Sequence, residues 1–189
     1  MGCNSSSPTT GATKKASMQK EKVTLGYWNF RGLCRANPAR YLLNYGKVQY
    51  EEKSYTVGED EWPKTKDTLG FEFPNMPYII VGDFKLTETF AVHQYIAEKF
   101  CPAVNGKTPK ERAYRYRLQM VANDAFVKAI TTCFTQAEKS VSCAAFIDGL
   151  QALAEHMGSA QFLGGDNPCI ADFILFEHIE YALGFSENK

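Results

Sequence analysis

Pro77-Tyr78-Ile79-Ile80-Val81-Gly82-Asp83-Phe84-Lys85-Leu86 is the stretch on which the fold turns. A run of β-branched and aromatic residues stops at Gly82-Asp83, a dipeptide suited to a tight turn, and resumes at once. This spacing predicts an antiparallel hairpin. Immediately downstream, residues 87–100 place Val92, Tyr95, Ile96 and the Lys99-Phe100 pair on one side of a helical wheel, which predicts an amphipathic helix. Upstream, Val23, Leu25 and Tyr27 alternate with more polar neighbours, as a half-buried strand does. Residues 39–45 carry Tyr41, Leu42 and Leu43 in a helical setting behind Pro38, a common first-turn residue. Residues 48–55 alternate again and predict a second strand, whereas 59–68 are polar and read as a short helix or a loop.

Strand, helix, strand, short helix or loop, hairpin, helix is the element order of a thioredoxin-type domain. Periodicity alone leaves other α/β folds open. After a linker at 101–107 the strands stop. Residues 109–136 and 139–157 read as long helices, the second with a stripe of Cys143, Ile147, Leu150, Ala154 and Met157. Gly164-Gly165 breaks the chain, and residues 170–183 are apolar almost all round, which predicts a buried helix. The expected organisation is a disordered tail at 1–22, an α/β domain at 23–101 and an all-helical domain at 108–189.

The 189 residues are 44% apolar, enough for one good core or two small ones. Charge is balanced at 21 basic and 21 acidic residues, so no basic field is available for a nucleic acid. No apolar run has the length of a membrane span, and the first residues lack the apolar segment of a secretory signal. Cys3, Cys34, Cys101, Cys133, Cys143 and Cys169 form no C-x-x-C pair, which argues for reduced thiols rather than a disulfide framework or zinc site. His93, His156 and His178 are isolated on helical stretches and read as packing or surface residues; no metal site is expected. The expected compartment is the cytoplasm.

The tail has its own chemistry. Met1-Gly2-Cys3-Asn4-Ser5-Ser6 fits the acceptor pattern for myristoylation of Gly2, and Cys3 beside it is placed for a palmitoyl chain. Two acyl chains hold a protein stably on a membrane surface where one does not. Lys14, Lys15, Lys20 and Lys22 would add weak attraction to an anionic leaflet.

Gly26-Tyr27-Trp28-Asn29-Phe30-Arg31-Gly32 resembles the opening G-Y-W-x-x-R-G of mu-class glutathione S-transferases. The likeness continues through Tyr50-Glu51-Glu52-Lys53, then Leu69-Gly70-Phe71-Glu72-Phe73-Pro74-Asn75-Met76-Pro77-Tyr78, then Lys85-Leu86-Thr87-Glu88-Thr89 and Tyr95-Ile96-Ala97. In the helical half, Phe162-Leu163-Gly164-Gly165-Asp166 and Ile170-Ala171-Asp172-Phe173 resemble the start of the family's buried helix. The resemblance implies a thioredoxin-like domain followed by a shortened helical domain, glutathione as substrate, an apolar electrophile as its partner in the reaction, and a homodimer or a pairing with a related subunit.

It also implies roles. The nucleophile is a thiolate, and a phenol that donates a hydrogen bond to sulfur favours the charged form, each pKa unit amounting to about 1.4 kcal/mol. Tyr27 stands at the family's position for that donor; the bland alternative is a core tyrosine at a strand end. Met76–Pro77 matches a cis-proline turn whose Met76 backbone pairs with the peptide part of glutathione, as an added strand would. Glu88 and Thr89 open a helix whose N-terminus suits the γ-glutamyl carboxylate, and they serve equally as a plain cap. Trp62, Lys66 and Asn75 keep the family's spacing around the glycine carboxylate, with Trp28 beside the tripeptide. Asp124 matches the acid that reaches the γ-glutamyl amine of the neighbouring subunit, and an exposed helical aspartate is the alternative.

The chain also departs from the family. Leu33-Cys34 is inserted beside Tyr27, Glu59 stands where relatives carry an arginine, and Cys169 replaces the Ser or Thr that caps the buried helix. Asp172 is expected to reach back to the amide of residue 169. The chain stops at Lys189, so an open electrophile site is expected. These departures support an alternative: a non-catalytic adaptor or structural subunit with the transferase fold, tethered to a membrane or a large assembly. A third reading is thiol–disulfide exchange through Cys34, near a helix N-terminus that stabilises thiolates.

Overall fold

The computed structural model describes residues 21–29, 34–134 and 139–187. The hairpin is present: β3 (Tyr78–Val81) pairs antiparallel with β4 (Phe84–Leu86), Val81 facing Phe84 across the turn. β1 (Val23–Trp28) lies antiparallel to β3 and parallel to β2 (Glu51–Tyr55), giving the order β2-β1-β3-β4. Strand β2 starts three residues later than the alternation from 48 suggests. Val48 and Tyr50 instead pack against the core as they approach the sheet.

Helix α1 (Asn37–Tyr45) begins two residues earlier than predicted, with Pro38 inside its first turn. The ambiguous segment resolves into α2 (Glu61–Thr65), followed by a 3₁₀ turn at Lys66–Thr68. Helix α3 (Thr89–Phe100) is followed by a second 3₁₀ turn at Pro102–Val104, inside the expected linker. The helical domain comprises α4 (Pro109–Phe134), α5 (Lys139–Met157) and α6 (Ile170–Glu187).

Alternation along the strands divides the sheet into two faces. Val23, Leu25, Ile79 and Val81 point to the core formed with Leu42 and Leu43 of α1 and Val92 and Ile96 of α3. Leu118 and Ala122 of α4, and Ile170, Ala171 and Ile174 of α6, extend the same cluster, so the two domains share one core. Each large aliphatic side chain buried there contributes about 1.5–3 kcal/mol. On the opposite face Trp28, Tyr55, Tyr78 and Ile80 are covered by Trp62 of α2.

Two helix faces differ from the sequence pattern. On α5 the buried residue is Leu153, with Leu150 and Met157 beside it, whereas Ile147 is 64% exposed and Ala154 is also open. Leu153 lies between the two turns that an i, i+4 pattern selects, which is why the stripe misplaced the face by one position. Helix α6 buries Ile170, Ala171, Ile174, Glu177 and His178 but leaves Phe176 and Ile179 exposed, so it is covered on one side only among the described residues. Its entry is as expected: Asp172 accepts from the backbone N–H of Cys169 and that of Leu163, each at 2.7 Å.

Candidate functional site

The site begins at the end of β1. Period-two alternation turns Tyr27 toward the helices, where it is buried with Cys34 and Ala36, and Trp28 and Met76 pack against this group. Burial raises the Tyr27 phenol above its ordinary pKa and the neighbouring Cys34 thiol adds to this, opposed by the Arg35 backbone N–H and by the charges of Arg35 and Arg40. The phenol therefore keeps its proton at neutral pH, as a hydrogen-bond donor must.

The loop that carries Met76 is tied down along its length. Lys85 donates to the Leu69 carbonyl at 2.7 Å and the Thr87 hydroxyl to that of Phe73 at 2.8 Å. Met76–Pro77 is cis. The Asn75 side chain works in two directions: its Oδ1 accepts from the Met76 amide at 2.8 Å, and its Nδ2 donates to Glu88 at 2.8 Å. Glu88 sits at φ +71° and ψ +121°, a conformation that costs a non-glycine residue about 1–3 kcal/mol and recurs at binding sites. It leads directly into α3, whose first residue is Thr89. Tyr27, Trp28, Asn75, Met76, Pro77 and Glu88 are thus joined by packing or hydrogen bonds, with Thr89 next in chain.

Trp62 is 9% exposed, set edge-on to Tyr55 (5.2 Å between centroids) and stacked with Tyr78 (6.0 Å). It reaches the group through Trp28 and Met76, which pack against both aromatic clusters. Lys66 is half-buried in the 3₁₀ turn after α2, with no ion pair among the described residues. Glu59 is exposed before α2, and Asp124 is exposed on α4, with no described contact to the group. Gly2 and Cys3 lie outside the described residues.

Sequence reasoning missed a second polar cluster behind Tyr27. Glu177, 3% exposed on α6, accepts from the Cys34 amide (2.9 Å), Asn37 Nδ2 (2.6 Å) and the Tyr41 hydroxyl (2.9 Å). Arg40 donates to Cys34 Sγ at 3.3 Å and to Asn37 Oδ1 at 2.5 Å, and pairs with Glu52 of β2. The signal was present: Glu177 stands between Phe176 and His178 in a largely apolar run that also holds Asp172 and Glu180, and an acid buried there must find donors. Burial raises the Cys34 thiol pKa despite Arg40 and the amides of Ala36 and Asn37. The thiolate-stabilising helix end expected there is therefore outweighed by desolvation. Cys34, Arg35, His93, Phe126, Glu177 and His178 border a cavity of about 20 Å³ between the domains.

Among the described residues no group of three or more His, Cys, Asp or Glu side chains is placed to hold a metal ion, and no helix is long and apolar enough to cross a membrane. The family model for the glutathione S-transferase N-terminal domain matches residues 23–98. The chain is 34% identical over 167 residues to glutathione S-transferase Mu 1 of Oryctolagus cuniculus, covering 84% of this chain and 75% of that one. It is 32% identical over 164 residues to a glutathione S-transferase of Dermatophagoides pteronyssinus, covering 82% and 73%. Similar solved structures include a major nematode glutathione S-transferase specific to C. elegans (TM-score 0.72, 23% identity, 87% of this chain and 83% of that one). Another is the monomeric Na-GST-3 of Necator americanus (TM-score 0.68, 22% identity, 88% and 92%).

Proposed function

Because this chain belongs to the glutathione S-transferase family, we propose that it conjugates the glutathione thiol to apolar electrophiles with Tyr27 as the hydrogen-bond donor to sulfur. It is a glutathione transferase. The observation that supports the role of Tyr27 is its buried, protonated phenol beside Met76, two hydrogen bonds through Asn75 from Glu88. The neutral phenol donates to the thiolate and holds it in the charged form. The thiolate then attacks an electrophilic carbon, the S–C bond forms, and the leaving group departs with its electron pair.

The tripeptide would lie along the loop before β3. Its backbone takes over the Met76 amide from Asn75 Oδ1, pairing as a strand does. Its γ-glutamyl carboxylate meets the N–H groups at the start of α3 near Thr89, and its ammonium faces the Glu88 carboxylate. Lys66 and Asn75, with Trp62 beside them, face the glycine carboxylate, where Glu59 opposes binding. Asp124, exposed on α4, reaches the γ-glutamyl amine in a second subunit. A homodimer is the proposed assembly, and Phe73, 69% exposed on the glutathione-side loop, supplies an apolar contact for it. Sedimentation of a Phe73→Ser variant at the same size as the parent dimer would count against this. The tail is proposed to carry acyl chains on Gly2 and Cys3; an intact mass of the native protein lacking them would remove that idea.

Retention on immobilised glutathione and turnover of a halonitrobenzene test the catalytic reading together. Tyr27→Phe is expected to keep the retention and lose roughly ten- to a hundredfold in kcat. Undiminished turnover in that variant contradicts the role given to the phenol.

A further inference from the structure

Glu177 belongs to the helical domain, yet all three of its described hydrogen bonds go to residues around the start of α1 in the sheet domain. A buried carboxylate is costly unless its lone pairs are filled, and here both oxygens are used: Oε1 by the Cys34 amide and Asn37, Oε2 by Tyr41. One of these donors belongs to the residue packed against Tyr27. The Cys34 N–H goes to Glu177, and Cys34 itself is buried in the same small cluster as Tyr27, whose phenol also feels the Arg35 backbone and the Arg40 charge. Cys34 lies three residues before α1, which starts at Asn37, itself a second donor to Glu177. Arg40 braces the same segment from the other side through Cys34 Sγ and Asn37 Oδ1.

We propose that Glu177 is a positioning residue for the reaction: by holding the Cys34 amide it fixes the residue packed against Tyr27, so that α6 sets the aim of the catalytic phenol. The proposal rests on the reading of Tyr27 as the donor to sulfur. The groups that face Glu177 are the Cys34 amide and thiol, Asn37 and Tyr41, with Arg40 behind them and His178 next in chain. A residue acting through another changes the chemistry of bound glutathione without touching it, and a residue that merely joins two domains changes only stability.

The deciding readout is the pH titration of enzyme-bound glutathione, followed by thiolate absorbance, in the parent protein, Tyr27→Phe, Glu177→Leu and Glu177→Gln, with thermal unfolding alongside. Glu177→Leu leaves three donors without an acceptor, and the bound thiol should titrate about one unit higher, with kcat near neutrality roughly tenfold lower. Glu177→Gln keeps an acceptor at Oε1 and an amide that can donate to the Tyr41 oxygen, and should restore the parent titration. A Glu177→Leu protein that melts earlier but titrates as the parent does, while Tyr27→Phe titrates higher, overturns the positioning role and leaves the tyrosine reading intact. A titration unmoved in Tyr27→Phe sinks the tyrosine reading itself, and this proposal with it. Should Glu177→Leu fail to fold, hydrogen exchange in the parent and in Glu177→Gln decides: the Cys34 amide is expected to be protected in both, and exchange at the rate of an open loop overturns the proposal.

Discussion

Gly26 shows how one residue can set the geometry beside the proposed hydrogen-bond donor. It pairs with Tyr78 across β1 and β3, and a Cβ built on it would lie 2.0 Å from the Tyr78 ring, which is locked by Tyr55, Phe71 and Trp62. No rotamer change clears that contact, because the Tyr78 hydroxyl is also bonded to that of Tyr55 at 2.9 Å. Gly26→Ala should therefore cost about 3 kcal/mol or more in urea unfolding and move Tyr27, its neighbour in sequence. Equal stability would show that the aromatic layer yields. The grouping of Tyr27 with Met76, Pro77 and the Glu88-Thr89 pair was legible from Gly26-Tyr27-Trp28 and the motifs that follow it. The positive φ of Glu88 was not legible, because no residue type announces it when glycine is absent. Nor was the Asn75 side chain's hold on the Met76 amide, a contact set by loop shape rather than by spacing.

At the scale of elements, α6 depends on a cap that its sequence makes unusual. Cys169 is a poor acceptor, so Asp172 alone closes the helix start, taking the Cys169 amide and binding the preceding turn through Leu163. Gly165, at φ +92°, brings Leu163 around to that carboxylate. Asp172→Ala should lower stability by about 2–3 kcal/mol, since two buried amides lose a charged acceptor. A urea midpoint unchanged by the substitution would contradict this account. The order of strands and helices was readable because turn residues and alternation agree along the sheet domain. The helical domain was harder. Its helices were found, but the inward face of α5 runs through Leu150, Leu153 and Met157 and leaves Ile147 and Ala154 open, because which side of a helix is covered depends on partners distant in sequence. Glu177 was hidden for the same reason: its donors lie some 140 residues earlier in the chain.

Across the whole molecule, the two domains meet around buried histidines. His93 on α3 and His178 on α6 both border the interdomain cavity, and burial lowers the pKa of each to about 4. Their folded values lie below the ordinary value near 6.5, so between these limits the unfolded chain binds protons that the folded chain does not. Stability from this source is complete above about pH 6.5 and is lost as the pH falls toward 4, by up to about 3 kcal/mol for each ring. Urea unfolding measured across that window should show the decline, and His93→Gln should make it shallower; a flat profile would contradict the assignment of neutral rings. A shared core and a shared polar seam tie the surroundings of Tyr27 to both domains, and the account stands on where glutathione binds. A crystal structure with reduced glutathione bound tests it most directly. The sulfur is expected within about 3.5 Å of the Tyr27 hydroxyl, with the tripeptide backbone on the Met76 amide. A sulfur turned away from that hydroxyl, or a tripeptide bound elsewhere, would contradict it.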